Sequence, residues 1–394
     1  MIFNSRLIFM SVIYFLFICN FYYYFHILIF NRLDDAFDGY NVTSISSVHL
    51  SFLLVSLFYI VIYYLCSVSL RLKPIFLLDD ISLKKQNFLA KIVLLGLIIL
   101  FLGVISEGVG TAGGENTADK TIFSTLLALF RFDYLAIIFL MTFPKAKIFY
   151  IIFFLYFIIS ILQGWLGGII VLGIIYLIKM ELRVKDVFFS KFSLVGLLLV
   201  FLMPSLMEAR HLYRFDNDFS FVLNYDFSFA VFIDSLHLIL SRFQQVETLT
   251  YFFDNYDYFY SIYSANITPI FFEGIIPNKL YEFFTDKNTQ SLGYMLFENS
   301  HDIVYGRKSA LIGGVIPHIF LSAYTLIYIL FVFFATMFFS TLFSISSNAR
   351  FVLIYHVLML FSFGWSNAFF SFFFAYVIFV IMVIFISNMK INRY

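Results

Sequence analysis

The stretch "MIFNSRLIFMSVIYFLFICNFYYYFHILIF", residues 1–30, decides the fold class of this chain. It begins with Arg6 beside a run of apolar and aromatic residues, in the manner of a secretion signal. The run is too long for such a signal and has no small-x-small cleavage site, so it reads as an uncleaved first membrane span. The rest of the chain has the same character. Mean hydropathy is +0.94, only 12% of residues are charged, and Phe, Tyr and Trp make up 22%. A soluble domain has about a quarter of its residues charged. Only helices or closed barrels satisfy backbone polar groups in hydrocarbon, and the long continuous apolar runs here are not the alternation of a barrel. The expected class is an all-α polytopic membrane protein. A formal net charge of +1 gives no footprint for nucleic acid.

A window of about 20 residues places spans near 7–30, 48–69, 89–105, 122–143, 148–164, 166–180, 192–207, 318–343, 351–367 and 369–387, ten in all. Alternate connections hold fifteen basic residues: Arg6, Arg71, Lys73, Lys84, Lys85, Lys91, Lys145, Lys147, Lys179, Arg183, Lys185, Lys191, Arg350, Lys390 and Arg393. The short connections of the other set hold only Arg32 and Lys120. The positive-inside rule therefore puts both termini in the cytoplasm. The expected organisation is seven spans over 1–207, an external module over 208–317, and three spans over 318–394. The module carries thirteen acidic and seven basic residues and is aromatic-rich, so its helices should lie on the membrane or pack over the spans. Within it, 229–250 reads as one amphipathic helix. Asp234, His237, Ser241, Gln244, Gln245 and Thr248 line one side, and Phe232, Leu236, Ile239, Phe243 and Val246 the other. Glu247 projects into the apolar side, where a carboxylate needs a partner.

Charged residues in so apolar a chain are the candidates for chemistry. "FRFDYL" puts Arg131 and Asp133 inside an expected span, at a cost of roughly 2.5–3.5 kcal/mol per central charge. Two residues apart, they do not face each other on one helix, so each needs a partner elsewhere or an aqueous cavity. The alternative is a re-entrant or surface segment over 122–131, with the span beginning after Asp133. "EARHLYRFDND", residues 208–218, places Arg210 and Arg214 four apart; they suit a lipid-linked diphosphate or serve as an interfacial anchor. Asp216 and Asp218 form a D-x-D that reads as a solvated turn before it reads as a metal site. Asp34, Asp35 and Asp38 are either a general base or metal pair, or a solvated turn. "GVGTAGG", residues 108–114, has the G-x-G-x-x-G spacing without the preceding strand of a dinucleotide site, and reads as an external turn. The seven histidines show no metal-ligand spacing, and no metal or other cofactor is expected. His26, His49 and His356 read as interior or interfacial. Cys19 and Cys66, both in apolar runs, read as packing residues.

Three local patterns give the chain a resemblance. "FRFDYL" at 130–135, "LQGWLGGIIVLGIIYL" at 162–177, and the run from Arg242 through "EGIIPNKLYEFFTDKN" to "GRKSALIGG" resemble segments of the O-antigen polymerase (Wzy) group. The arginine-x10-glycine pattern of some members does not fit at Arg131, Arg210 or Arg242. The resemblance implies a multi-pass protein of the bacterial inner membrane that polymerises lipopolysaccharide or capsule repeat units. Its substrate is a polyprenyl-diphosphate-linked oligosaccharide, and its partners include a chain-length regulator and a flippase. Transfer from a diphosphate needs fixed positive charge, for which Arg131, Arg210, Arg214, Arg242 and Arg307 are candidates. Arg242, Glu247 and His301 are the expected catalytic residues, with Asp254 and Asp257 as further candidate bases. Tyr256, Tyr258 and Tyr260 are candidates for stacking on sugars or for anchoring at the membrane surface. Other readings are a flippase or transporter of lipid-linked oligosaccharide, and another lipid-dependent glycosyltransferase or ligase.

Overall fold

A computed structural model of the chain describes residues 5–33, 37, 39–72, 76–77, 81–107, 127, 130–143, 146–163, 166–179, 233, 237, 240, 243–267, 269–270, 284–285, 292, 295–296, 314–344, 347–363 and 366–388. These residues form α1 (Ser5–Phe30), α2 (Ile45–Arg71), β1 (Phe76–Leu77), α3 (Leu83–Glu107), α4 (Phe132–Thr142), α5 (Phe149–Leu162), α6 (Leu166–Lys179), α7 (Val246–Asp254), α8 (Tyr256–Asn266), α9 (Ile316–Leu321), α10 (Ala323–Leu342), β2 (Phe343–Ser344), α11 (Ser347–Phe363) and α12 (Ser366–Asn388). Among them, five helices are long and apolar enough to cross a membrane: Phe9–Phe30, Ile45–Val68, Leu83–Ser106, Ala323–Leu342 and Phe369–Asn388. The chain is a multi-pass helical membrane protein.

The lipid-facing surface follows from helical spacing. On α10, Tyr324, Ile327, Phe331, Phe334 and Phe338 recur every three or four residues and are all more than half exposed. On α1 the opposite stripe, Phe9, Ile13, Leu16, Asn20, Tyr23 and Ile27, is buried while Ile18, Phe21, Phe25 and Ile29 face outward. Exposed apolar stripes of this length fit a hydrocarbon environment.

Helices α1, α2, α7 and α11 pack as one group, and α3, α4, α5, α6 and α12 as a second; α11 and α12 join the two. The middle of the second group is α4, in which every residue from Asp133 to Thr142 is buried. A helix apolar on all sides belongs inside a bundle. Gly96 of α3 lets α4 approach, since a Cβ there would stand 2.2 Å from Cδ1 of Phe132. Gly96→Ala is therefore expected to cost about 1–3 kcal/mol by overpacking, measured by thermal unfolding in detergent.

Described helices occupy nine of the ten expected span segments; 192–207 lies outside the described residues. Over 122–143, 148–164 and 166–180 the described helices are short. α4 has eleven residues and α5 and α6 fourteen each. At 1.5 Å per residue they reach only ~16 and ~21 Å, against a hydrocarbon thickness of ~30 Å.

At the end where the basic connections gather, β1 and β2 pair in parallel, Phe76 with Phe343 and Leu77 with Ser344. Arg350, 3% exposed, closes the same corner. Its guanidinium donates to the Leu72 carbonyl, just past α2, and to the Thr341 hydroxyl at 3.0 Å, in the last turn of α10. A cation there complements the negative ends of two helices.

Candidate functional site

Arg131 is the N-cap of α4 and has a left-handed backbone, φ 38° and ψ 59°, at a non-glycine residue. Such a conformation costs on the order of 1–3 kcal/mol and persists only where the surroundings impose it. Here the imposition is an ion pair. Nε donates to Oδ1 of Asp133 at 3.0 Å and Nη2 to Oδ2 at 2.6 Å, while the guanidinium lies 4.1 Å from the centre of the Tyr134 ring. Side-chain exposure is 16% for Arg131 and 7% for Asp133. The expectation that the two do not face each other is thus corrected. The rule holds between helical residues, and Arg131 stands outside the helix, where the left-handed turn swings its side chain back over the first turn. Asp133 in that turn also benefits from the positive end of α4.

Around the pair, Tyr134 meets His356 of α11 edge-on at 5.7 Å, and His356 stacks on Phe372 of α12 at 3.9 Å. Tyr156 of α5 lies within electrostatic reach of both Arg131 and Asp133 and bonds Ser160. Gly168 of α6 backs onto both: a Cβ there would stand 2.5 Å from Oγ of Ser160 and 3.1 Å from the Tyr156 hydroxyl. The segments at 130–135 and 162–177 therefore meet through α5.

The second polar centre lies at the start of α7. The expected continuous helix over 229–250 is corrected: Phe243 is in a turn, Gln244 and Gln245 are non-helical, and a new helix starts at Val246. Nor does α7 lie on the surface. All residues from Val246 to Phe252 are buried, and the helix packs against α1 and α2. Gln244 and Glu247 cap it reciprocally. The Gln244 Nε2 donates to Glu247 Oε2 at 2.8 Å, and the Glu247 backbone N–H donates to Gln244 Oε1 at 3.0 Å. Glu247 is fully buried, so the carboxylate on the apolar side finds its partner in an amide three residues back. The Gln245 N–H donates to Asn20 Oδ1 of α1 at 2.7 Å. At the other end of α7, Asp254 Oδ2 accepts from the Thr43 N–H at 2.8 Å, just before α2.

These contacts fix the depth of α7. Its nine residues span ~13 Å, and Asn20 lies ~15 Å below the end of α1 at Phe30. Helix α7 thus runs from the middle of α1, at Asn20, toward the Phe30 end of α1 and the Ile45 end of α2.

The aromatic candidates lie on α8. Tyr256 donates to the Phe320 carbonyl at 3.2 Å and stacks on Tyr260 at 5.7 Å. Tyr258 and Tyr260 are 45% and 60% exposed. His356 is buried, His49 is exposed and bonds the Tyr24 hydroxyl at 2.9 Å, and Cys19 and Cys66 are free and buried. Arg210, Arg214, Arg242, His301 and Arg307 lie outside the described residues, as do Asp34, Asp35, Asp38, Asp216, Asp218, Asp234 and the 108–114 turn. Among the described residues no three His, Cys, Asp or Glu come together as metal ligands. Two features had no signal in composition or spacing: the Asn20–Gln245 bond, and the approach of Tyr59 of α2 to Gln245, Ser362 and Asn20. No protein-family model matches the chain, and neither does any curated protein or solved structure.

Proposed function

We propose that the chain is a glycosyltransferase that joins polyprenyl-diphosphate-linked oligosaccharide repeat units, of O antigen or capsule, at the external face of a bacterial inner membrane. The observation that carries the reading is Arg131, a guanidinium inside an apolar bundle, presented as a two-pronged fork by Asp133 and Tyr134. The fork that grips a carboxylate also matches phosphate oxygens. Support comes too from the resemblance, whose segments at 130–135 and 162–177 pack beside that fork.

In the proposed reaction, a sugar hydroxyl of the incoming unit attacks the anomeric carbon of the growing chain. The bond from that carbon to the diphosphate oxygen breaks, and the diphosphate departs with the electron pair. Arg131 stabilises this charge, together with Arg210, Arg214, Arg242 and Arg307. The hydroxyl proton passes to Glu247 or His301. The exposed rings of Tyr258 and Tyr260 offer faces for sugars.

A deletion strain is expected to accumulate single lipid-linked repeats on the external side. Accumulation on the cytoplasmic side assigns a flippase instead, and free lipid-linked polymer assigns a ligase. Arg210→Ala and Arg242→Ala are expected to keep protein levels and lose long-chain polysaccharide while single-repeat product persists. Normal chain length in both variants removes these arginines from the site.

A further inference from the structure

Four lysines from three helices gather around the foot of α5. Lys147 stands just before the helix and is exposed. Its backbone N–H donates to Oδ1 of Asn87 on α3 at 3.3 Å, which ties the starts of the two helices together. At 100° per residue, Lys84 and Lys91 fall on the same side of α3 as Asn87, and both are exposed. From the end of α6, Lys179 brings its ammonium to 3.4 Å from the centre of the Phe149 ring and 3.9 Å from that of Tyr150, in the first turn of α5. The two ring faces hold that charge at the start of the helix.

This positive charge has no counterpart in the helices that carry it. No acidic residue occurs in α5 or α6, and the one in α3 is Glu107 at its far end. Among the described residues none of the four lysines pairs with a carboxylate. Lys85 differs from them, since its ammonium donates to the Ser387 carbonyl of α12.

Beyond the lysines the surface turns apolar. Phe88, Leu95 and Leu102 are exposed along α3, and Ile151, Phe154 and Ile158 along α5. The two helices pack side by side with both starts at this end, so two apolar stripes run together from the lysines into hydrocarbon. The positive-inside rule asks for basic residues in the connections. It does not ask for Lys91, which lies ~10 Å further along α3 than Lys84 and on the same face. Basic pockets between helices at the cytoplasmic side suit anionic lipid headgroups. A free anion leaves the stripes unused, and a zwitterionic headgroup brings an ammonium of its own into the cluster.

We propose that Lys84, Lys91, Lys147 and Lys179 form a binding site for the headgroup of an anionic phospholipid in the leaflet at the basic end, with its two acyl chains along the exposed faces of α3 and α5. The site is independent of the activity proposed above.

The test is native mass spectrometry of the full chain in detergent, titrated with dioleoyl phosphatidylglycerol, with dioleoyl phosphatidylcholine and with inorganic phosphate. Phosphatidylglycerol is expected to bind the wild type more tightly than phosphatidylcholine. Each lysine removed is expected to weaken it roughly fivefold, hence about 25-fold in Lys84→Gln/Lys147→Gln and in Lys147→Gln/Lys179→Gln. Arg71→Gln/Lys85→Gln loses the same net charge at the same end and is expected to bind within about twofold of the wild type. Unfolding midpoints equal to that of the wild type confirm that the variants are folded, and the Lys84/Lys147 pair, both exposed, reads the site if loss of Lys179 unsettles α5. Equal affinity for the two lipids overturns the proposal, as does an equal loss in the Arg71/Lys85 control, which means diffuse charge. Binding of phosphate alone with the same lysine dependence overturns a lipid as the occupant.

Discussion

Arg131→Ala is expected to destabilise the protein by about 3–5 kcal/mol, because it strands the buried Asp133 carboxylate without its partner. The measurement is thermal or denaturant unfolding in detergent, and the controls separate two causes. Arg131→Ala combined with Asp133→Asn should recover most of the loss, since the neutral amide removes the stranded charge. Arg131→Gly should be milder than Arg131→Ala by about 1 kcal/mol, because glycine takes the left-handed backbone without penalty. Wild-type stability in Arg131→Ala means that the fork does not hold the start of α4. Arg131→Lys keeps the charge but not the paired donors, so it tests the fork itself. On the proposed reaction it shortens the polysaccharide even where the protein remains folded.

The second large effect belongs to Arg350. Arg350→Ala is expected to cost about 3 kcal/mol, from two charge-assisted hydrogen bonds lost at a buried corner. Arg350→Lys should retain only part of that stability, as an ammonium cannot reach two divergent acceptors with a planar fork. The loss should also be local. Amide hydrogen exchange is expected to speed up at Phe76–Leu77 and Phe343–Ser344 before the rest of the bundle. Uniform acceleration across all helices contradicts a corner clasp.

Much of the helical layout was legible, for a physical reason. Runs such as 89–105 and 369–387 are apolar over ~20 residues, and the bilayer admits only helices there. What failed did so where a local interaction replaced periodicity. Projection at 100° per residue presumes an unbroken helix, so it spread 229–250 around one wheel and missed the break at Phe243–Gln245. The break is made by Asn20, more than two hundred residues away, and no local pattern announces a bond to it. Arg131 and Asp133 stand out in the sequence as charges in a greasy run. Their pairing was missed because the left-handed turn at Arg131 is not written in residue type. Tyr59 and Ser362 each look like ordinary span residues, and only their convergence makes them notable.

The Arg350 clasp also sets an order of events at the ribosome. Its guanidinium reaches a carbonyl 278 residues earlier in the chain. At about 5–20 residues per second, synthesis of that interval takes ~14–56 s. For that time α2 sits in the bilayer with its last carbonyls still waiting for their cation. The first two helices must therefore be tolerable to the insertion machinery as an unfinished pair, and this amino-terminal segment is exposed to quality-control proteases until the carboxyl-terminal helices arrive.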